Sequence, residues 1–241
     1  MATLVFSSTA HAEPATVLKL YGTGIALNAA HVMELKFAEA SRKGWEYGPE
    51  FTQTGGTDAR VVGLVKDGAP ADIVIVQTSE MAKLQQAGLV RAGTVKPLGR
   101  ADIAVGVKAG APHPDISTYP KFRDTLLKAG SVAYTDPKSG SAGGILIDQV
   151  LNRPELASVK RVHNARVTSG QVPIWLEAAG QLRGAYGVDE VGLLPASLNA
   201  HLPFSIAVGT NAKHPEQAIA FENYALQSKF APIWTKWGVA R

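Results

Sequence analysis

The chain has 241 residues, 46% hydrophobic and 18% charged, which excludes disorder and leaves enough apolar material for one large core or two smaller lobes. Its 24 Lys and Arg against 20 Asp and Glu give a net charge of +4 with no basic run, which argues against nucleic acid as a partner. Cysteine is absent, so thiol catalysis, disulfides and thiolate metal sites are excluded together.

The first residues read as an export signal. Leu4-Val-Phe6 is apolar, small residues follow, and Ala10-His-Ala12 before Glu13 has the small-x-small form of a signal-peptidase site. Residues 1–12 are therefore expected to be the remnant of a signal peptide, and the mature protein periplasmic. No other apolar run approaches the roughly 20 residues of a membrane span.

Residues 17–21 read as a buried strand that ends in Gly22-Thr-Gly24. A helical pattern follows, with Ile25, Ala29, Val32, Met33, Leu35, Phe37 and Ala38 on one broad face. Residues 50–53 predict a second strand running into Thr54-Gly-Gly-Thr57, then a helix carrying Val61, Val62, Leu64 and Val65. Residues 71–76 are a near-continuous apolar strand, as in a parallel sheet covered on both faces. Ser79 is expected to cap the next helix, which stops at Gly88.

After Lys96-Pro97 a second alternating unit begins. Strands are predicted at 103–107, 131–134 and 184–188, and helices at 121–128, 144–151 and 173–179. Residues 203–208 form one more strand, and a long amphipathic helix carries Ala218, Ile219, Phe221, Tyr224, Ala225 and Leu226. This alternation predicts two α/β lobes with sheets flanked by helices.

Three turns share one character: Gly22-Thr23-Gly24, Thr54-Gly55-Gly56-Thr57, and Ser139-Gly140-Ser141-Ala142-Gly143. Each follows a predicted strand and opens a helix. Free amides at a helix N-terminus together with the macrodipole favour an anion, and small residues let it approach. Open parallel sheets bind ligands at such strand ends, so two lobes could close on one anion. Gly22-x-Gly24 lacks the third glycine of a dinucleotide fingerprint, and no turn ends in the Gly-Lys-Ser/Thr of a P-loop.

Elsewhere the readings are structural. Lys160-Arg161-x-His163-x-x-Arg166 is a basic cluster expected at a solvated surface, and Asp58 and Arg60 are expected to cap a helix and pair at the surface. The histidines show no metal-ligand spacing, so neither metal nor cofactor is expected. Trp175, Trp234 and Trp237 fit a core. Asp189 either bonds a ligand hydroxyl or caps the turn before Leu193.

Gly68-Ala-Pro-Ala-Asp-Ile-Val-Ile75, Thr135-Asp-Pro-Lys-Ser-Gly-Ser-Ala-Gly143, the segment 206–221 and Trp234-x-x-Trp-Gly238 together carry a resemblance. The chain resembles the type II periplasmic solute-binding proteins of ABC importers, in the group typified by the molybdate-binding protein. That resemblance implies a two-lobed α/β fold, each lobe a mainly parallel sheet flanked by helices, joined by two hinge crossovers. Residues 13–97 with 204–241 would form lobe I, and 98–203 lobe II. It also implies contacts from the first two turns, from the Ala142 amide, from the loop Ser169-Gly170-Gln171-Val172 and from Tyr186. Gly24 stands where oxyanion binders carry serine, so the ligand class stays open between an oxyanion and a small organic carboxylate.

The resulting expectation is a monomeric receptor, not an enzyme, that traps a small anionic solute and delivers it to a membrane permease. An enzyme on the same scaffold, or the sensing module of a regulator, are the alternatives. No nucleophile–base pair is visible beside the turns.

Overall fold

The computed structural model describes residues 16–42 and 48–241, so the expected signal remnant lies outside the described residues. β1 (Val17–Thr23) buries Leu18 and Leu20 and leads directly into α1 (Gly24–Ala40). β2 (Glu50–Gly56) pairs parallel to β1 along its whole length, and α2 (Asp58–Lys66) returns the chain to β3 (Ile73–Gln77), parallel on the other side of β1. β3 shows why both faces need cover: Ile73 and Ile75 enter one core with α1, while Val74 and Val76 enter another with α2. α3 (Thr78–Gln86) follows. It starts one residue ahead of the expected cap, and Ser79 lies inside its first turn. At its far end Gly88 takes the left-handed conformation at φ +68°.

β4 (Lys96–Lys108) is one long strand shared by two sheets. Lys96 to Asp102 pair with the first sheet, whereas Ile103 onward pairs with the second. The second sheet repeats the plan of the first. α4 (Tyr119–Ala129), opened by Pro120 and closed by left-handed Gly130, packs Phe122 and Leu126 against β5 (Ser131–Tyr134). α5 (Ala142–Leu151) leads to β6 (Lys160–His163), then come β7 (Ile174–Ala178) and α6 (Ala179–Arg183), with β5 parallel to both β6 and β7. β8 (Val188–Leu193) completes this sheet beside β4. The chain returns through 194–200 to β9 (His201–Val208), antiparallel between β3 and β4. α7 (Pro215–Ala225), α8 (Ala231–Lys236) and β10 (Val239–Ala240) close the first lobe, where Trp234 is fully buried and donates its indole N–H to the Ala225 carbonyl at 2.9 Å.

The fold is thus α/β and two-lobed, with two chain crossings between lobes. Each lobe carries a parallel trio of strands, and the antiparallel pairs gather at the crossing strands. Asp72, the acidic residue of Gly68-Ala-Pro-Ala-Asp72, is fully buried and ties three segments: its carboxylate accepts the Lys19 and His214 amides, each at 2.8 Å.

The structure corrects three expectations. Residues 173–179 hold the buried strand β7 rather than a helix. The strand expected at 184–188 starts only at Val188, after a turn with Gly187 at φ +73°. The cluster 160–166 lies at the surface as expected, with Lys160, His163 and Arg166 exposed, and within it Arg161 is bound to Asp148, Asn152 and the Leu151 carbonyl, which pins β6 to the end of α5. Leu35, placed on the apolar face of α1, is 60% exposed.

The lobes touch at two places that matter below. Ile25 and Leu146 pack against the cores of both. Arg183 of α6 grips Glu190 through two N–H donors at 2.6 and 3.0 Å, and also donates to the Thr235 and Lys236 carbonyls at the end of α8.

Candidate ligand-binding cleft

Between the lobes lies a cavity of about 170 Å³. From the first lobe Thr23, Gly24, Ile25, Gly56, Thr57 and Asp58 line it; from the second, Thr135, Ser141, Glu177 and Gln181. The N-terminal turns of α1, α2 and α5 all border this space, and each brings backbone N–H groups with no partner inside its helix. A larger hollow of about 660 Å³ lies at the outer end of the second lobe, beside Val107, His113 and Lys128, with no such convergence.

Three N-cap hydroxyls face the cavity and differ in one respect. Thr57 Oγ1 accepts the Arg60 amide at 3.3 Å, and Ser141 Oγ accepts the Gly144 amide at 3.3 Å. Each cap spends an oxygen lone pair and keeps its O–H proton available to donate. Thr23, N-cap of the 17-residue α1, makes no cap bond at all. Among the described residues its hydroxyl has no hydrogen-bond partner, although the residue is only 2% exposed. A buried hydroxyl left unpaired costs about 1–3 kcal/mol, so this one is held for something the fold does not supply.

Two carboxylates border the same space. Glu177, at the end of β7 and 7% exposed, accepts the Ala178 amide on Oε1 and the Thr135 hydroxyl on Oε2, both at 2.8 Å. Burial pushes its carboxyl above the usual range, and the two hydrogen bonds pull against that shift. Asp58, 5% exposed, accepts the Gln77 amide at 2.8 Å. Burial raises its carboxyl too, against the Gln77 hydrogen bond, and Glu80 nearby adds to the rise.

Close backbone packing builds the second-lobe wall. A Cβ on Gly144 would run into the Thr135 carbonyl, so only glycine lets α5 start where it does. Gly140, at φ +76°, sits where a Cβ would lie 2.9 Å from the Ala59 Cβ of the opposite lobe.

The structure gathers Thr23, Gly24, Gly56, Thr57 and Ser141 from the three expected turns into one lining. Gly22, Thr54 and Gly55 lie behind them in the β1–β2 ladder. Gly140 and Ala142 border an adjoining groove of about 540 Å³ with Asp58 and Ala59, and Gly143 lies beside Glu177. The rest are set elsewhere. Ser139 is exposed and donates to the Asp136 carbonyl at 2.6 Å. Ser169, Gly170 and Gln171 are exposed in a tight turn, while Val172 is buried in the second lobe's core. Tyr186 is fully exposed, because the turn before β8 carries it outward. Asp189 accepts the Gly110 amide at 2.9 Å. The sequence reading passed over Ile25, Thr135, Glu177 and Gln181, and took Asp58 for a surface residue.

A family described as bacterial extracellular solute-binding proteins matches residues 26–240. The chain belongs to this family. Such solute-binding proteins work outside the cytoplasm, and among the described residues no helix is long and apolar enough to cross a membrane. This solute-binding protein is similar in structure to the periplasmic molybdate-binding protein of Azotobacter vinelandii: TM-score 0.74, 16% identity, covering 93% of this chain and 99% of that one. It is also similar to the sulfate-binding protein of Mycobacterium tuberculosis: TM-score 0.67, 22% identity, 93% and 86% covered. In sequence it is 34% identical over 172 residues to a Pseudomonas protein named aconitate isomerase. That alignment covers 67% of this chain and 64% of the relative, slightly under two thirds of its length.

Proposed function

We propose that this solute-binding protein is a monomeric periplasmic receptor, exported through a signal peptide, which closes on a small organic acid and delivers it to the permease of an ABC importer. The observation that carries the reading is the Thr23 hydroxyl, buried, unpaired and unused as a helix cap, beside the first turns of α1 and α2. An oxygen of an anionic ligand satisfies it. The amides and the Thr57 and Ser141 hydroxyls supply the remaining donors without a countercharge.

The ligand class follows from the carboxylates. A tetrahedral dianion presents charge in every direction and meets Glu177 and Asp58 at close range. An organic acid places its carboxylates at the helix N-termini and turns its carbon skeleton towards Glu177. At about 30 Å³ per water the cavity holds some six waters, which suits an acid of a few carbons. The relative named for aconitate, a tricarboxylate, supports the same class. Ligand affinity for both walls then biases the hinge towards the closed form.

Thermal unfolding against molybdate, sulfate, phosphate and a set of mono-, di- and tricarboxylates including aconitate tests this. Saturation to a hundredfold over Kd adds about 2.7 kcal/mol, or roughly 5–10 °C for a chain of this size. Stabilisation by a di- or tricarboxylate is the expected result. A response to tetrahedral oxyanions alone would overturn the ligand class, and no response to any anion would overturn the receptor.

A further inference from the structure

We propose that the cleft also performs chemistry: Glu177 takes a proton from an allylic carbon of a bound unsaturated carboxylic acid and returns it two carbons away, moving the double bond. The inference rests on the organic-acid reading of the same site. Three observations carry it. Glu177 is nearly sealed from water yet lines the cavity, so its carboxylate meets ligand rather than solvent. Both of its oxygens are held by donors, the Thr135 hydroxyl and the Ala178 amide, which fixes the carboxylate with no ion pair to it among the described residues. Gly143 has no side chain to cover it: a Cβ there would stand 3.6 Å from Oε1.

Burial makes this carboxylate a stronger base than an exposed one, matching what abstraction from carbon requires. The walls supply the complementary part. Removing a γ proton pushes the C–H electron pair into a new β,γ double bond, and the old α,β pair moves towards the acid's own carboxylate. The extra negative charge forms at oxygens that the Thr23 and Thr57 hydroxyls and the first-turn amides are placed to hold. Glu177, now protonated, gives the proton to the α carbon and is restored. The step is redox-neutral and needs no second reactant.

The test uses the purified full chain with aconitate, an unsaturated acid with an allylic CH₂, in heavy water. Proton NMR follows deuterium uptake at carbon and interconversion of the geometric isomers, and calorimetry follows binding. The wild type is expected to exchange and interconvert. Glu177→Gln is expected to lose about 10²- to 10⁴-fold in exchange and interconversion while still binding. Aconitate bound by the wild type with neither exchange nor interconversion, or both undiminished in Glu177→Gln, would overturn the inference and leave the receptor standing. No binding of any acid in the panel would overturn both. Glu177→Asp, which keeps the charge but shortens the reach, should bind and exchange slowly; wild-type rates in it would count against positioned proton transfer.

Discussion

On the first-lobe side of the cavity stand the Thr23 and Thr57 hydroxyls and the opening turns of α1 and α2. Across from them stand Ser141, Thr135 and Glu177. The first wall is rich in donors, and one of these, Thr23, does nothing for its own helix. On the second wall the groups are already engaged: Ser141 caps α5 and Thr135 holds Glu177. On the proposed reading the first wall is prepared for charge, and the second holds a carboxylate against the ligand's carbon.

The sharpest way to break this comparison is to displace one wall and leave the other. Gly144→Ala drives a methyl into the Thr135 carbonyl and shifts the start of α5. Overpacking of this kind costs about 1–3 kcal/mol, and with the wall out of register we expect affinity for the acid to drop by about a hundredfold in calorimetry. Thr23→Val removes the unemployed hydroxyl at constant shape. A hydrogen bond to a charged group is worth about 1.5–3 kcal/mol, so affinity should fall about ten- to hundredfold while the melting temperature holds or rises. A lowered melting temperature in Thr23→Val would show that the hydroxyl serves the fold after all.

Ser141→Ala gives the contrasting outcome. It removes a working cap, so chemical denaturation should show a loss of about 1 kcal/mol of stability along with weaker binding. The smallest effect concerns pH. Burial raises the folded Glu177 carboxyl above its usual 4.5, so its contribution to stability is fully present below 4.5 and is lost as pH rises through the folded value. Glu177→Gln carries no charge to bury. It should melt above the wild type at pH 7–8, with the gap closing as pH falls through the raised folded value and gone below 4.5.

The strand-end turns were legible because glycine and hydroxyl residues between an apolar strand and a helix carry their own conformational reason. That pattern led to Thr23, Thr57 and Ser141. Glu177 was hidden by an ambiguity of period: Ile174-Trp-Leu-Glu-Ala178 is a short apolar run whose Leu, Glu and Ala favour helices, and only its pairing with β4 and β5 makes it a strand. Read as a helix, the run offered Glu177 no particular direction. A single acid within five otherwise uncharged residues was nevertheless a signal. Tyr186 was misplaced by the neighbouring error: a strand begun at Gly184 turns it inward, whereas the observed turn turns it out.

Arg183 has a mechanical consequence. Its guanidinium rivets α6 of one lobe to the tail of α8 on the other, and it also holds Glu190 in its own lobe. With that contact kept, a gaping of the two halves is expected to be widest at the lip where Gly140 meets Ala59.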